Sequence, residues 1–297
     1  MIPVGPELHG VTARRCIVCD APMRRTFRKR GWWIATCVAC GHQSVEDDVP
    51  VDHVTRVYGD EYFEGGAEGY TGYVREGTVL RAHGRRYGRV LSRYVAPGCV
   101  LDVGAAAGFV LQGLLDCGWR GVGLEPNESM AAYGRSELGL DVRAGTLESF
   151  PKGEQFDLVS MIQVLPHFVD PRRALEVAAA VTRPGGHWLV ETWNRDSWTA
   201  RLLGTRWHEY SPPSVLHWFS RAGLRDLVAH FGFVDVASGR PRKWLEGAHA
   251  RAALEHSADA SRLKGLVRLA SRLIPEGAVV PYPSEDVFWA LYRRQGG

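Results

Sequence analysis

From about residue 98 onward the chain repeats one pattern, a short apolar run followed by a stretch with helical periodicity. This alternation marks βαβ units, whose strands pair in parallel and are buried on both faces. The runs are CVLDVG, GVGLE, LDVRAG, FDLVSMI, HWLVETW, VDVAS and VFWALY, and the helical patterns cover 109–117, 128–138, 172–181 and 221–231. The pattern predicts an α/β domain with a Rossmann-like, seven-stranded, mostly parallel sheet flanked by helices.

The 297 residues suffice for one such domain and a small appendage. Composition changes near residue 50, where a Cys-, Arg- and Trp-rich segment gives way to EDDVPVDH. Residues 51–97 are rich in Tyr, Gly and Arg and read as a connector or lid, a loop followed by one amphipathic helix. We expect an N-terminal unit over 1–50, this connector over 51–97, and the α/β domain over 98–297. Residues 240–284 then form an insertion between the last two strands, a helix and loop at one edge. A formal net charge of +3 names no partner. No apolar run approaches the roughly 18 residues of a membrane span, and MIPVGPELHG has neither a basic start nor an apolar stretch. A soluble, cytoplasmic protein with no membrane partner is expected.

Four of the six cysteines form two CxxC pairs, Cys16 with Cys19 and Cys37 with Cys40, separated by 17 residues. Each such turn presents two thiolates to one side, and two turns complete a closed tetrahedral sulfur site. The expectation is a small N-terminal zinc ribbon with a structural Zn²⁺ and no open position for substrate. Cys99 and Cys117 read as small buried hydrophobes, and His42 as a bystander. Between the pairs, MRRTFRKRGWW gives a basic patch with interleaved aromatics. Such a patch tracks phosphates or grips an acidic carrier, or else offsets the thiolate charge and fills a ribbon too small for a core.

The first strand of the α/β domain ends VLDVGAAAGF, delivering Asp102 and then small residues that let the backbone turn tightly into a helix. Gly104 and Gly108 sit where a side chain would block a left-handed turn or a ligand's approach to the helix N-terminus. A dinucleotide fingerprint needs glycines where this chain has Ala106 and Phe109, so pyrophosphate binding is disfavoured. A ligand with an amino-acid end and a nucleoside end fits better. The second strand ends in Glu125, followed by Pro126, 23 positions beyond Asp102. A carboxylate there accepts both ribose hydroxyls. By the same rule Thr146 and Leu147 flank the adenine, and the loop after strand four brings Gln163 and His167 to the ligand side.

DVGAAAG, the acid in GLEPN, FDLVSMIQVLPHFVDP and RPGGHWLVETWN resemble the successive motifs of class I S-adenosylmethionine-dependent methyltransferases, over about residues 100–233. WHEYSPPSVLHWFSRAGLRDLVAHFGF further resembles the UbiG-like group. The resemblance implies S-adenosyl-L-methionine as cofactor, with Gly104, Ala105 and Gly108 at its methionine part, Glu125 at the ribose, and Thr146 with Leu147 at the adenine. The sequence departs from the family pattern at Ala106, Thr146 and Val215.

Methyl transfer from a sulfonium is an in-line displacement that gains most from alignment, and a base is needed only for acceptors such as alcohols or phenols. The candidates are His167 after strand four, with His208 and His217 in the segment after strand five. Trp193, Trp198, Trp207 and Trp218 are candidates to wall an acceptor, and Tyr62, Tyr70 and Tyr73 to close over the cofactor. The reading is a biosynthetic methyltransferase acting on a small-molecule or carrier-linked metabolite. Two other readings stay open: a zinc-knuckle rRNA guanine methyltransferase that grips nucleic acid through the basic patch, and a degenerate methyltransferase fold serving as a binding module.

Overall fold

A computed structural model describes residues 11–50, 52–64, 73–151, 153–247, 251, 271, 273–275, 278–282 and 284–296. The chain opens with an antiparallel ribbon of β1 (Val11–Arg15), β2 (Pro22–Lys29), β3 (Trp32–Cys37) and β4 (Gln43–Val45). Arg30 and Gly31, at φ 50° and 86°, close β2 onto β3 in the two-residue turn whose twist suits a hairpin. Three helices follow: α1 (His53–Val57), α2 (Asp60–Glu64) and α3 (Gly77–Leu91). The connector thus carries two short helices where the sequence suggests only loop.

All seven expected strands and four expected helices are present. They are β5 (Cys99–Val103), α4 (Phe109–Leu115), β6 (Arg120–Glu125), α5 (Glu128–Ser136), β7 (Val142–Ala144), β8 (Phe156–Ile162), α6 (Pro171–Val181) and β9 (Thr182–Trp193). After α7 (Trp198–Leu203) and the short β10 (His217–Trp218) come α8 (Arg221–Ala229), β11 (Phe233–Gly239), β12 (Lys243–Glu246), β13 (Val279–Tyr282) and β14 (Val287–Arg294). The main sheet has the order β11-β14-β9-β8-β5-β6-β7. Its strands pair in parallel except β14, which runs antiparallel to both neighbours. From β5 the order proceeds one way through β6 and β7 and the other way through β8 and β9. That reversal is the switch point outside which α/β sheets bind ligands. β12 pairs only with β13, and the helix expected in this insertion falls largely outside the described residues.

Two features place structure over the sheet's carboxyl edge. First, α3 lies against α4 with almost no space between them: a Cβ on Gly113 would stand 2.2 Å from the Arg81 carbonyl oxygen, and one on Gly84 2.2 Å from that of Val110. Second, β10 pairs antiparallel with β4, so the ribbon's sheet takes its fifth strand from the segment following β9. Ile34, Val45, Trp207, Tyr210 and Trp218 share one apolar cluster across that seam, and the Arg195 guanidinium donates to the Gly41 carbonyl. No helix among the described residues is long and apolar enough to cross a membrane.

The α3–α4 contact yields a test. Gly113→Val forces the helices apart and is expected to destabilise by about 1–3 kcal/mol or more, read as a lowered Tm in thermal denaturation. An unchanged Tm would show that α3 has room to move.

Candidate active site

A cavity of about 540 Å³ opens where β5, β6, β7, β8 and β9 end. Asp102, Gly104, Ala105, Glu125, Pro126, Thr146, Leu147, Gln163 and His167 all line it, so the carboxyl ends of successive strands contribute to one wall. The tight turn after β5 is built from left-handed backbone: Gly104 at φ 65°, Ala106 at 47° and Gly108 at 90°. At Gly104 a Cβ would also strike Val164 Cγ2 at 2.5 Å. Gly108 is not on the cavity wall; it caps α4 and packs against Leu140. Ala106 holds a conformation that costs an L-residue roughly 1–2 kcal/mol, and its N–H donates to Glu125 Oε2 at 2.8 Å. Gln163, at φ 58°, is a second strained residue on the wall. Strain of this kind persists where the surroundings over-determine it, often at ligand sites.

Glu125 is 4% exposed. Its Oε1 accepts from Asn127 N at 2.9 Å while Oε2 takes the Ala106 N–H. Each carboxylate oxygen retains a lone pair for a further donor. Burial pushes its pKa up to about 7, the two backbone N–H groups pull it down, and nearby Asp102 pushes it up again. Asp102 is also raised to about 7 by burial, against the pull of the Ser160 hydroxyl at 2.6 Å. Thr146 caps the turn of Leu147–Ser149, setting the buried Leu147 against the cavity.

The three sequence candidates for a base occupy different surroundings. His167 is on the wall, but its Nδ1 lies 2.7 Å from the Ser214 carbonyl and 2.9 Å from the Tyr58 hydroxyl, and burial lowers its pKa. His208 stands at the mouth with Nε2 3.0 Å from Glu209 Oε1 and 3.8 Å from Asp286 Oδ2; the bond to Glu209 raises its pKa. His217 does not line the cavity; it stacks on His42 at 5.7 Å within the ribbon seam. Of the tryptophans, Trp193 lines the cavity, Trp207 and Trp218 are buried in the seam, and Trp198 is 74% exposed. Tyr62 and Tyr73 line it, and Tyr70 lies outside the described residues.

The sequence reading missed His83, Arg86 and Glu191 on the same wall. Glu191 had a visible signal, a charge inside the apolar run HWLVETW. The other two had none, because α3 carries Arg81, Arg85, Arg86 and Arg89 and only packing selects the one that faces inward. Arg86 Nη1 is buried without a hydrogen-bond partner among the described residues, and the guanidinium lies 5.7 Å from the Trp244 ring.

In the ribbon, the four expected thiols lie within 4.8 Å of one another. Cys16 Sγ is 3.5 Å from Cys40 Sγ, and Cys19 Sγ is 3.4 Å from Cys37 Sγ. Backbone N–H groups of Val18, Ala39 and Cys40 point at the Cys16 and Cys37 sulfurs at 3.4, 3.4 and 3.5 Å. Tetrahedral bonds of ~2.3 Å to one zinc ion put sulfurs ~3.8 Å apart, and N–H donors stabilise thiolates. The donor set fits such an ion. Elsewhere in the ribbon, Arg25 and Arg28 stack on Trp33 at 5.4 and 5.0 Å.

Comparison with known proteins agrees with this geometry. The family described as "Methyltransferase domain" matches residues 79–238. The chain belongs to that methyltransferase family. It is 34% identical over 127 residues to a ubiquinone biosynthesis O-methyltransferase of Bradyrhizobium diazoefficiens, covering 41% of this chain and 48% of that protein. It is 27% identical over 149 residues to the namesake of Coxiella burnetii, covering 43% and 64%. The methyltransferase chain thus spans about half the length of the first of these relatives and less than two thirds of the second. A Burkholderia thailandensis 1,6-didemethyltoxoflavin-N1-methyltransferase, solved with its acceptor and S-adenosylhomocysteine, shares the fold at TM-score 0.53 and 15% identity, over 91% of this chain and 99% of that one.

The raised pKa of Glu125 has a measurable consequence. Between its ordinary 4.5 and about 7 the unfolded chain has lost a proton that the folded one retains, so this group's contribution to stability falls as pH rises through that window. Against Glu125→Gln, wild type is expected to lose relative Tm from pH 4.5 to 7 and hold level above. A difference that does not vary with pH would show that Glu125 ionises normally.

Proposed function

We propose that this protein transfers a methyl group from S-adenosylmethionine to a small-molecule or carrier-linked biosynthetic acceptor, on oxygen. The reading rests above all on one cavity whose wall takes Asp102, Gly104, Glu125, Thr146 and Gln163 from adjacent strand ends. When bound, S-adenosylmethionine supplies a methyl group on a cationic sulfur. Glu125 would receive the ribose hydroxyls on its remaining lone pairs, and Pro126, Thr146 and Leu147 would border the adenine. Gly104, Ala105 and the backbone near Gly108 would face the methionine part. Gln163 Oε1, buried and without a partner among the described residues, suits the cofactor's ammonium. Arg86, a desolvated guanidinium with no carboxylate paired to it among the described residues, suits its carboxylate. An oxygen acceptor is favoured by the ubiquinone O-methyltransferase relatives.

The 1–50, 51–97 and 98–297 division serves this reading as ribbon, cover and catalytic body, although the fifth ribbon strand, β10, belongs to the body. Zn²⁺ would hold Cys16, Cys19, Cys37 and Cys40 together as a structural centre, which suits a reducing, cytoplasmic setting.

Titration calorimetry of the full chain with S-adenosylhomocysteine tests the cofactor assignment. Wild type is expected to bind, and Glu125→Ala and Arg86→Ala each to weaken binding about tenfold to a hundredfold, the loss of charge-assisted hydrogen bonds. Absence of binding by the folded wild type refutes the assignment.

The ribbon makes a separate prediction. Elemental analysis should find one zinc per chain, and Cys37→Ser should lose both the metal and the ribbon's resistance to proteolysis. A metal-free chain with a protease-resistant ribbon would show that the thiols need no ion.

A further inference from the structure

We propose that His83, oriented by Glu191, is the base of this reaction and takes the proton of a hydroxyl acceptor as it reacts. The proposal rests on the methyltransferase reading and adds to it a catalytic residue and the residue that positions it.

Glu191 is a carboxylate with no exposed surface, in an otherwise apolar stretch of β9. A buried charge of this kind costs several kcal/mol unless donors surround it. Here they do: Gln163 Nε2 donates to Oε1 at 2.9 Å, and the Tyr87 hydroxyl and His83 Nε2, the latter at 3.1 Å, both meet Oε2. With both oxygens engaged, Glu191 is a poor base itself. It is a positioning residue: only an imidazole carrying its proton on Nε2 can donate to it, which leaves the Nδ1 lone pair of His83 available. No described residue bonds to that Nδ1, and the exposed part of His83 lines the cavity.

The other cavity imidazoles differ from it. His167 Nδ1 sits against the Ser214 carbonyl and not a carboxylate, and His208, whose Nε2 faces the carboxylates of Glu209 and Asp286, has a side chain 48% exposed, against 11% for His83. Of the two carboxylate-oriented imidazoles His83 is the one shielded from water, the arrangement in which a base accepts a proton from a bound acceptor and is stabilised as imidazolium. The close α3–α4 contact at Gly84 holds it in place, and Trp193, two residues beyond Glu191 on the same strand face, supplies an aromatic wall for a flat acceptor.

The step balances. The hydroxyl proton passes to His83 Nδ1, the oxygen forms the new O–C bond, and the C–S bond breaks with its electron pair remaining on sulfur as the thioether. The imidazolium then returns its proton to water. An amine or carboxylate acceptor would not require this base.

The full chain is assayed with methyl-labelled cofactor against catechols and phenols of graded acidity, from 4-methylcatechol to 4-nitrocatechol, and in parallel against anilines and benzoates. His83→Gln is expected to keep the wild-type Tm and affinity for S-adenosylhomocysteine. It should lose about 10²–10⁴-fold in turnover, with the rise of kcat/KM with pH flattened and the smallest loss on 4-nitrocatechol. Glu191→Gln should shift the midpoint of that rise. An equal loss at every acceptor acidity, a wild-type pH profile in His83→Gln, or methylation of anilines or benzoates in preference to phenols overturns the proposal. Nitrogen-15 NMR of histidine-labelled wild type decides without any acceptor: the Nε2–H tautomer at His83 supports it, and the Nδ1–H tautomer overturns it. A wild type that binds S-adenosylhomocysteine while failing these tests leaves the methyltransferase reading standing; one that binds none removes both.

Discussion

A buried carboxylate stitched to two backbone turns holds the centre of this molecule together. Glu125 accepts from the amide of Ala106 in the turn after β5 and from the amide of Asn127 after its own strand. Burial disfavours its charge, and the two amide donors, which belong to rigid backbone and cannot rotate away, offset part of that cost. In return it holds the amide of Ala106, whose left-handed backbone is costly for an L-residue. The same group that organises the two turns also lines the cavity.

The wall facing it is assembled from parts far apart in the chain. Asn127 caps α5 through its side-chain oxygen, accepting from Met130 N at 2.8 Å, while its amide nitrogen donates to Tyr58 O at 3.0 Å and Asp60 Oδ1 at 3.1 Å. One side chain therefore anchors the connector to the turn after β6. Tyr58 in turn reaches Ser214 and His167, and the segment around Ser214 leads directly into β10, which completes the ribbon's sheet. The turn after β6, the connector and the ribbon are linked by hydrogen bonds. The ribbon is thus docked beside the cavity, and its four clustered thiols do not line it.

Much of this was legible in the residues. Seven apolar runs became the seven strands because parallel strands are buried on both faces, and a run of CVLDV or FDLVSMI has nowhere else to go. The two CxxC turns converged because spacing and turn geometry are local properties. Glu125, Thr146 and Gln163 met on one wall because strands in parallel deliver their following loops to the same edge. What could not be read was anything set by how two helices or two sheets meet. His217 reads like a pocket histidine yet stacks on His42 in the seam, because the pairing of β10 with β4 spans more than 170 residues of sequence. The packing of Gly108 against Leu140 is likewise set by how distant segments meet.

The sequence by itself determined the sheet, its ligand-binding edge and the thiol cluster, since each follows from hydrophobic period, strand polarity or short-range spacing. Only the tertiary structure decided which arginine of α3 turns inward, which histidine meets Glu191, and which tryptophan reaches the cavity. Those choices depend on the rotation and closeness of α3 against α4, fixed by backbone contacts at Gly84 and Gly113 that leave no periodic trace in the sequence.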